Sequence, residues 1–116
     1  MTKPFRLSPS EIRPIAEGHG ACIASNRITR DGKPVGFMYR EAPDSDVDSG
    51  WRFLSGDESQ AYADEASNFA MYDVNTIANY DDSIVPFLSA PIGSAYARGS
   101  DGKLHAESAP SEPHVH

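Results

Sequence analysis

The fold is decided by residues 35–58, VGFMYREAPDSDVDSGWRFLSGDE. Two short apolar runs flank a polar loop that is rich in Asp and Ser, and the second run ends at a Ser-Gly pair. This pattern predicts two antiparallel strands joined by a long loop. Because side chains alternate along a strand, Phe37 and Tyr39 are expected to share one face, and Trp51 and Phe53 another.

The rest of the chain predicts further short elements around these two strands. A buried strand is expected at 21–24, others at 69–72 and 92–97, and one more edge pairing at 103–105. Helices are expected at 11–17, at 60–65 and after Asp73, where Val74, Ile77 and Ala78 have the spacing of a core-facing stripe. The expected fold class is α+β, with a mostly antiparallel sheet of four to six short strands and two or three short helices.

Length and composition bound the organisation of the chain. Its 116 residues predict one domain at 1–107, and the polar, Pro-rich segment 108–116 predicts a flexible tail. No apolar run approaches the roughly 18–20 residues that cross a bilayer, so no membrane partner is expected. The N-terminus lacks the apolar centre of a secretory signal, and the single cysteine, Cys22, indicates a reducing compartment. We therefore expect a cytoplasmic protein of bacterial type.

Charge is distributed unevenly along the chain, whose net charge is −7 at pH 7. Residues 1–40 contain seven Lys or Arg and three Asp or Glu, whereas residues 41–82 contain eleven Asp or Glu and one Arg. Such an acidic middle repels nucleic acid, because proteins bind nucleic acid mainly through Lys and Arg at phosphates. It would attract a basic protein and speed the encounter, although acidic loops also simply keep a small domain soluble.

The loop with Asp44, Asp46 and Asp48 resembles the start of a calcium-binding loop. The EF-hand requires Gly at position six and a bidentate Glu at position twelve, and these positions are Ser49 and Ser55 here. The flanking runs also predict strands rather than helices. The loop is therefore interpreted as solvated and free of metal, and no cofactor is expected.

Catalysis has little support in the sequence. Neither a nucleophile elbow nor a phosphate-cradling glycine loop is present. Cys22 falls in an expected buried strand, where a thiol behaves as a small hydrophobic group. An enzyme is therefore not expected, but two alternatives stay open: a small metal-dependent hydrolase that uses the acidic loop, and a regulatory module of unknown ligand.

Three segments carry a family resemblance: 36–41 (GFMYRE), 48–53 (DSGWRF) and 72–77 (YDVNTI). In these segments the chain resembles the immunity protein 33 family, a bacterial family long catalogued as a domain of unknown function. The resemblance runs from about residue 21 to residue 98. It implies, by genomic association, a protein that binds and neutralises a toxin in polymorphic toxin systems, and it supplies no catalytic residues.

Charge and resemblance together predict a protein-interaction domain whose partner is a basic toxin domain. An open acidic face with exposed aromatic side chains would favour binding, whereas half-buried carboxylates around one pocket would favour an enzyme. The oligomeric state stays open. The candidate partner-binding residues are Asp44, Asp46, Asp48, Arg52, Asp57 and Glu58.

Overall fold

The computed structural model of the chain describes residues 4–107, which contain one six-stranded sheet. The strands are β1 Ala21–Ser25, β2 Phe37–Arg40, β3 Asp48–Leu54, β4 Phe69–Asp73, β5 Ala95–Arg98 and β6 Leu104–Glu107. Their order in the sheet is β4-β1-β3-β2-β5-β6. β1 runs parallel to β3, and the other neighbouring strands are antiparallel. The predicted α+β class with a mostly antiparallel sheet is confirmed.

Short helical segments connect the strands. The α-helices are α1 Asn26–Thr29, α2 Gln60–Asp64 and α3 Val74–Tyr80, and 3-10 helices lie at Pro9–Glu11, Ala66–Asn68 and Asp82–Phe87. Ser59 caps α2 and Asp73 caps α3, since each side chain accepts a hydrogen bond from a backbone N–H of the first turn. Within residues 4–107, no helix has the length and apolar character to cross a membrane.

The helix expected at 11–17 is wrong, because the segment forms only the 3-10 helix Pro9–Glu11. Pro14 disfavours helical geometry at the residue before it. The backbone N–H groups of Ile15 and Ala16 instead donate to the side-chain oxygen of Asn75, at 2.9 and 2.8 Å. The segment is therefore bound to α3 as an irregular strap.

One face of the sheet, the core face, carries the hydrophobic core. Its buried strand residues are Cys22, Ala24, Met38, Trp51, Phe53 and Leu104, and they pack against Ile28 of α1, Val74, Ile77 and Ala78 of α3, and the neighbouring Ile84 and Leu88. The predicted core-facing stripe of α3 is thus confirmed. The Trp51 indole N–H donates to the Leu88 carbonyl at 3.2 Å, which fixes the ring in the core. Burial raises the pKa of the Cys22 thiol, as expected for a buried cysteine.

The long connection between β2 and β3 is closed by Gly50. Its φ of +88° lies in the left-handed region that favours glycine, and a Cβ there would overlap the Glu41 carbonyl oxygen. β2 and β3 pair antiparallel, as the sequence predicts, and the structure sets the register from Phe37 opposite Leu54 to Arg40 opposite Trp51. The expected flexible tail, 108–116, lies outside the described residues.

Candidate functional site

A second apolar surface lies on the side of the sheet opposite the core. Strand pairing places Met71 beside Ile23, Ile23 beside Arg52, and Arg52 beside Tyr39 in one row across β4, β1, β3 and β2. Leu54 and Phe37 form the neighbouring pair. We call this surface the open face and define it by five apolar residues: Ile23, Phe37, Tyr39, Leu54 and Met71.

The open face is not covered by the elements that build the core. Among the described residues, α1, α3 and the 82–88 segment contribute to the core cluster, and none of the five open-face side chains belongs to it. Met71 is 63% exposed, and the other four residues are half-buried. The Phe37 and Tyr39 rings lie 5.7 Å apart between centroids and form an aromatic pair at the surface. Exposed apolar side chains grouped in this way mark interaction surfaces.

A charge cluster centred on Arg52 lies within this face. The Arg52 guanidinium donates to both carboxylate oxygens of Asp48, at 3.0 and 2.9 Å, and its Nε donates to Glu41 at 2.7 Å. Asp44 lies 3.8 Å away from the same guanidinium. We call Arg52, Glu41, Asp44 and Asp48 the charge cluster. One cation among three carboxylates leaves the cluster with a net negative charge.

The members of the charge cluster differ in exposure. The side chains of Arg52 and Asp48 are each 5% exposed, whereas Glu41 is 45% and Asp44 is 85% exposed. The hydrogen bonds from Arg52 hold the pKa of the Asp48 carboxyl well below its usual range. Arg52 and Asp48 therefore act as a buried ion pair within the fold, and Glu41 and Asp44 present the surplus negative charge to solvent.

Tyr39 connects the charge cluster to the apolar part of the open face. Burial raises the pKa of its phenol, Glu41 raises it further, and Arg52 lowers it. Tyr39 also lies directly opposite Arg52 in the β2–β3 pairing. Apolar, aromatic and anionic groups are thus adjacent on one surface.

The acidic loop divides its three aspartates between two environments. Asp48 points inward and accepts the backbone N–H of Asp44 at 2.9 Å and that of Gly50 at 2.9 Å. Asp44 and Asp46 are exposed. Within residues 4–107, no group of three or more His, Cys, Asp or Glu side chains is arranged to hold a metal ion. The loop therefore gives no support to the alternative of a metal-dependent hydrolase.

Asp57 and Glu58 lie at the far end of β3 from the acidic loop. β3 spans seven residues, so its ends are roughly 20 Å apart at about 3.4 Å per residue. Asp57 forms an ion pair with Lys33 at 2.9 Å. The pKa of Asp57 is lowered to about 2, mainly by a hydrogen bond from the Ser55 hydroxyl and secondly by the ion pair with Lys33. Glu58 accepts the backbone N–H groups of Ser55 and Gly56, at 2.9 and 3.0 Å. Both carboxylates have partners within the chain.

The structure therefore brings four of the six predicted site residues together and separates the other two. Asp44, Asp46 and Asp48 lie at the start of β3, where the Arg52 guanidinium reaches back to Asp48, and Asp57 and Glu58 follow the end of the strand. Their role in partner binding stays a prediction. Glu41, the second carboxylate on Arg52, is not among the residues predicted from the sequence. The open face is not among the predictions either, although the expected separation of Phe37 and Tyr39 from Trp51 and Phe53 is the signal for it.

An open depression of about 720 Å³ adjoins the same end of the sheet. Its walls include His19, Asp46, Val47 and Met71. Val47 and Met71 are 65% and 63% exposed, so the depression continues the apolar surface around the edge of β4 and β1. It resembles a shallow docking surface more than an enclosed substrate pocket, which buries most of a small ligand.

Comparison with known proteins identifies the family. The model of the Immunity protein Imm33 domain matches residues 22–107, which is most of the chain and includes β6 beyond the expected limit of residue 98. The chain belongs to the Imm33 family. Searches of curated proteins and of solved structures gave no match.

Proposed function

We propose that this member of the Imm33 family is an immunity protein that binds a cognate toxin and neutralises it without catalysis. The observation that carries the proposal is the family match over residues 22–107, since an immunity-type role implies a protein partner. The open face and the charge cluster support it, because exposed apolar and aromatic groups beside charged side chains are the usual composition of a protein interface.

The proposed partner is a basic toxin domain. The protein carries a net charge of −7, and residues 41–82 contain eleven of its seventeen acidic side chains. Complementary charge steers association and raises the rate of encounter by orders of magnitude at low salt. Fast capture suits a protein that must reach a toxin before the toxin reaches its target.

A neutralisation assay tests the proposal. The product of a neighbouring gene that arrests growth is taken as the candidate toxin and is expressed from an inducible promoter in a bacterial host, with and without this protein. We expect growth to be rescued by the protein, and we expect the purified pair, with the toxin inactivated by mutation, to form a stoichiometric complex in calorimetry. Rescue without a complex would contradict neutralisation by binding and would favour an enzymatic role.

A matched pair of variants makes the assay specific. Phe53→Ala removes a core side chain that is 1% exposed, so it should weaken rescue by lowering the fraction of folded protein in the cell. Ile15→Ser changes a side chain that is 44% exposed on the strap bound to α3, so it should leave rescue intact. Equal rescue by both variants would show that rescue does not require the folded protein.

We also infer that the protein acts in the cytoplasm. The support is its one cysteine, Cys22, which is fully buried as a free thiol, as is common in proteins of reducing compartments. Fractionation of cells that express the native gene, followed by immunoblotting, tests this proposal. Recovery from the periplasm or the medium would contradict it.

A further inference from the structure

We propose that the open face of the sheet is the docking surface for the toxin, and that its occupant is a basic protein surface that places an apolar side chain between Met71 and Tyr39 and a cation beside Glu41 and Asp44. This inference rests on the proposed function and adds the surface and the chemistry of recognition. Two features of the surface support it, its apolar row and its excess of negative charge, and the charge also argues against the other possible occupants.

The apolar row supplies the anchor. Met71, Ile23 and Tyr39 lie on adjacent strands around Arg52, so with about 4.8 Å between strands the row spans roughly 15 Å. Methionine and tyrosine are enriched at protein interfaces, since tyrosine buries a large rigid area and the flexible thioether of methionine adapts to an irregular partner surface. The row lies on rigid strands, so little order has to be gained on binding.

The charge of the face selects a basic occupant. Arg52 is the only Lys or Arg at the open-face positions of the six strands, and Asp48 already holds both of its terminal nitrogens. Glu41 and Asp44 stay 45% and 85% exposed beside it. Glu41 accepts one hydrogen bond from Arg52 Nε and keeps further lone pairs, and Asp44 lies 3.8 Å from Arg52, so both carboxylates can accept hydrogen bonds from an incoming Lys or Arg.

A second copy of this chain is a poor occupant. A symmetric pair would place two open faces together, each with a net negative charge cluster, on two chains of net charge −7. Like charges that meet across an interface cost several kcal/mol. The face therefore favours a different, basic protein over itself.

The C-terminal segment of the chain is also a poor occupant. Residues 108–116, SAPSEPHVH, contain one Glu and no Lys or Arg, and their apolar side chains are limited to Ala109, Val115 and two prolines. This composition supplies no permanent cation for Glu41 and Asp44 at pH 7. The charge of the open face thus matches a basic partner better than it matches the protein's own tail.

Calorimetry with matched lysine variants tests the docking surface. The probe is the toxin domain that the neutralisation assay identifies, inactivated by mutation and titrated into the full-length wild type, Met71→Lys and Ile15→Lys. Both substitutions add one positive charge at an exposed apolar residue, 63% exposed for Met71 and 44% for Ile15, but Ile15 lies on the strap against α3 on the core side of the sheet. We expect Met71→Lys to weaken binding by about 30-fold or more, as for an interface hot spot, and Ile15→Lys by less than threefold.

The outcomes separate the two proposals. If the toxin domain binds wild type and Met71→Lys equally well, the open face is not the docking surface, and the proposed function stands. If the toxin domain does not bind wild type at all, the proposed function fails, and the docking proposal fails with it. Met71→Ala guards against misfolding, since it removes the anchor without adding a charge and should still weaken binding about tenfold.

Two further measurements address the other occupants in the full-length protein. Sedimentation equilibrium should show a monomer, and a dimer that Met71→Lys dissolves would overturn the proposal in favour of self-association. A spin label on Ser111→Cys reacts selectively, because Cys22 is buried. Broadening of the Tyr39 and Met71 amide signals by this label would show that the tail occupies the face and would also overturn the proposal, whereas unbroadened signals support it.

Discussion

The two faces of the sheet carry similar side chains, yet one is the core and the other is open. On the core face, Trp51, Phe53 and Met38 are at most 1% exposed because helices and the 82–88 segment pack over them. On the open face, Phe37 and Tyr39 form an aromatic pair that is only half-buried. Apolar content alone therefore does not identify the core face. The core face is the one against which the helices and the 82–88 segment pack.

The faces also differ in how they handle charge. On the core face, the guanidinium of Arg40, opposite Trp51 in the β2–β3 pairing, donates to the backbone carbonyls of Ser49 and Ala90, both at 2.8 Å. On the open face, Arg52 instead forms a buried ion pair with Asp48. Burying this pair is tolerable because Arg52 makes four hydrogen bonds to Asp48, Glu41 and the Trp51 carbonyl.

The comparison predicts that aromatic residues on the two faces contribute unequally to stability. Phe53→Ala should lower the free energy of unfolding by about 3–5 kcal/mol, because it leaves a cavity in the core. Phe37→Ala should cost only about 1 kcal/mol, because that ring is already in contact with solvent. Urea denaturation of both variants measures the difference. Equal losses would show that the open face is covered in solution.

Removing one partner of the buried ion pair should have the next largest effect. Asp48→Asn leaves the Arg52 charge with a weakened partner in a site that is 5% exposed, so we expect a loss of about 3 kcal/mol. The folded state lowers the pKa of Asp48, so its contribution is present above the unfolded pKa of about 3.9 and is lost as the pH falls.

The pH dependence makes this prediction specific to Asp48. Wild type should lose stability progressively as the pH falls below about 5, and Asp48→Asn should lose less over the same range. Urea midpoints between pH 3 and pH 7 check this. Parallel curves for the two proteins would mean that Asp48 is not the carboxylate that stabilises the native state.

The sequence predicts the individual strands and α3 well. It does not predict which face of the sheet the helices cover. The alternation in 35–39 and 51–54 gave the strands, and Asp73 with Val74 and Ile77 gave α3 as a capped helix with a buried stripe. Such signals are local, because each depends on residues within one element. Which face of the strands α3 would cover depends on contacts between distant segments, which no local pattern contains.

Arg52 shows the same limit within the candidate site. Next to Trp51 and near several aspartates, it was predicted as a partner-binding residue, and the structure places it 4% exposed between Asp48 and Glu41. Glu41 follows β2 and Asp48 begins β3, so only the antiparallel pairing of the two strands brings both carboxylates to one guanidinium. The register, and not the composition, sets the charge cluster.

The two carboxylates on Arg52 should differ in their effect on stability. Glu41→Gln removes a charge that is 45% exposed, so we expect a loss below about 1 kcal/mol, against about 3 kcal/mol for Asp48→Asn. Thermal melts of Glu41→Gln in low and high salt measure this small term and its screening. A loss as large as that of Asp48→Asn would show that Glu41 is also desolvated in solution.

Substitution of Asp44 and Asp46, the exposed aspartates of the acidic loop, should have the smallest effect on stability and a clear effect on the association rate. Replacing Asp44 and Asp46 by Asn removes two exposed charges, whose carboxylates make no short hydrogen bond within residues 4–107, so stability should change by less than about 0.5 kcal/mol. Their attraction to a basic toxin acts over a Debye length of about 8 Å at physiological salt, so their removal should slow association and leave dissociation almost unchanged. Stopped-flow association rates at 20 and 200 mM salt should show a flatter salt dependence for the double variant.

Calcium provides the control: if it raised the melting temperature of wild type and not of the double variant, the acidic loop would be a metal site rather than a steering surface.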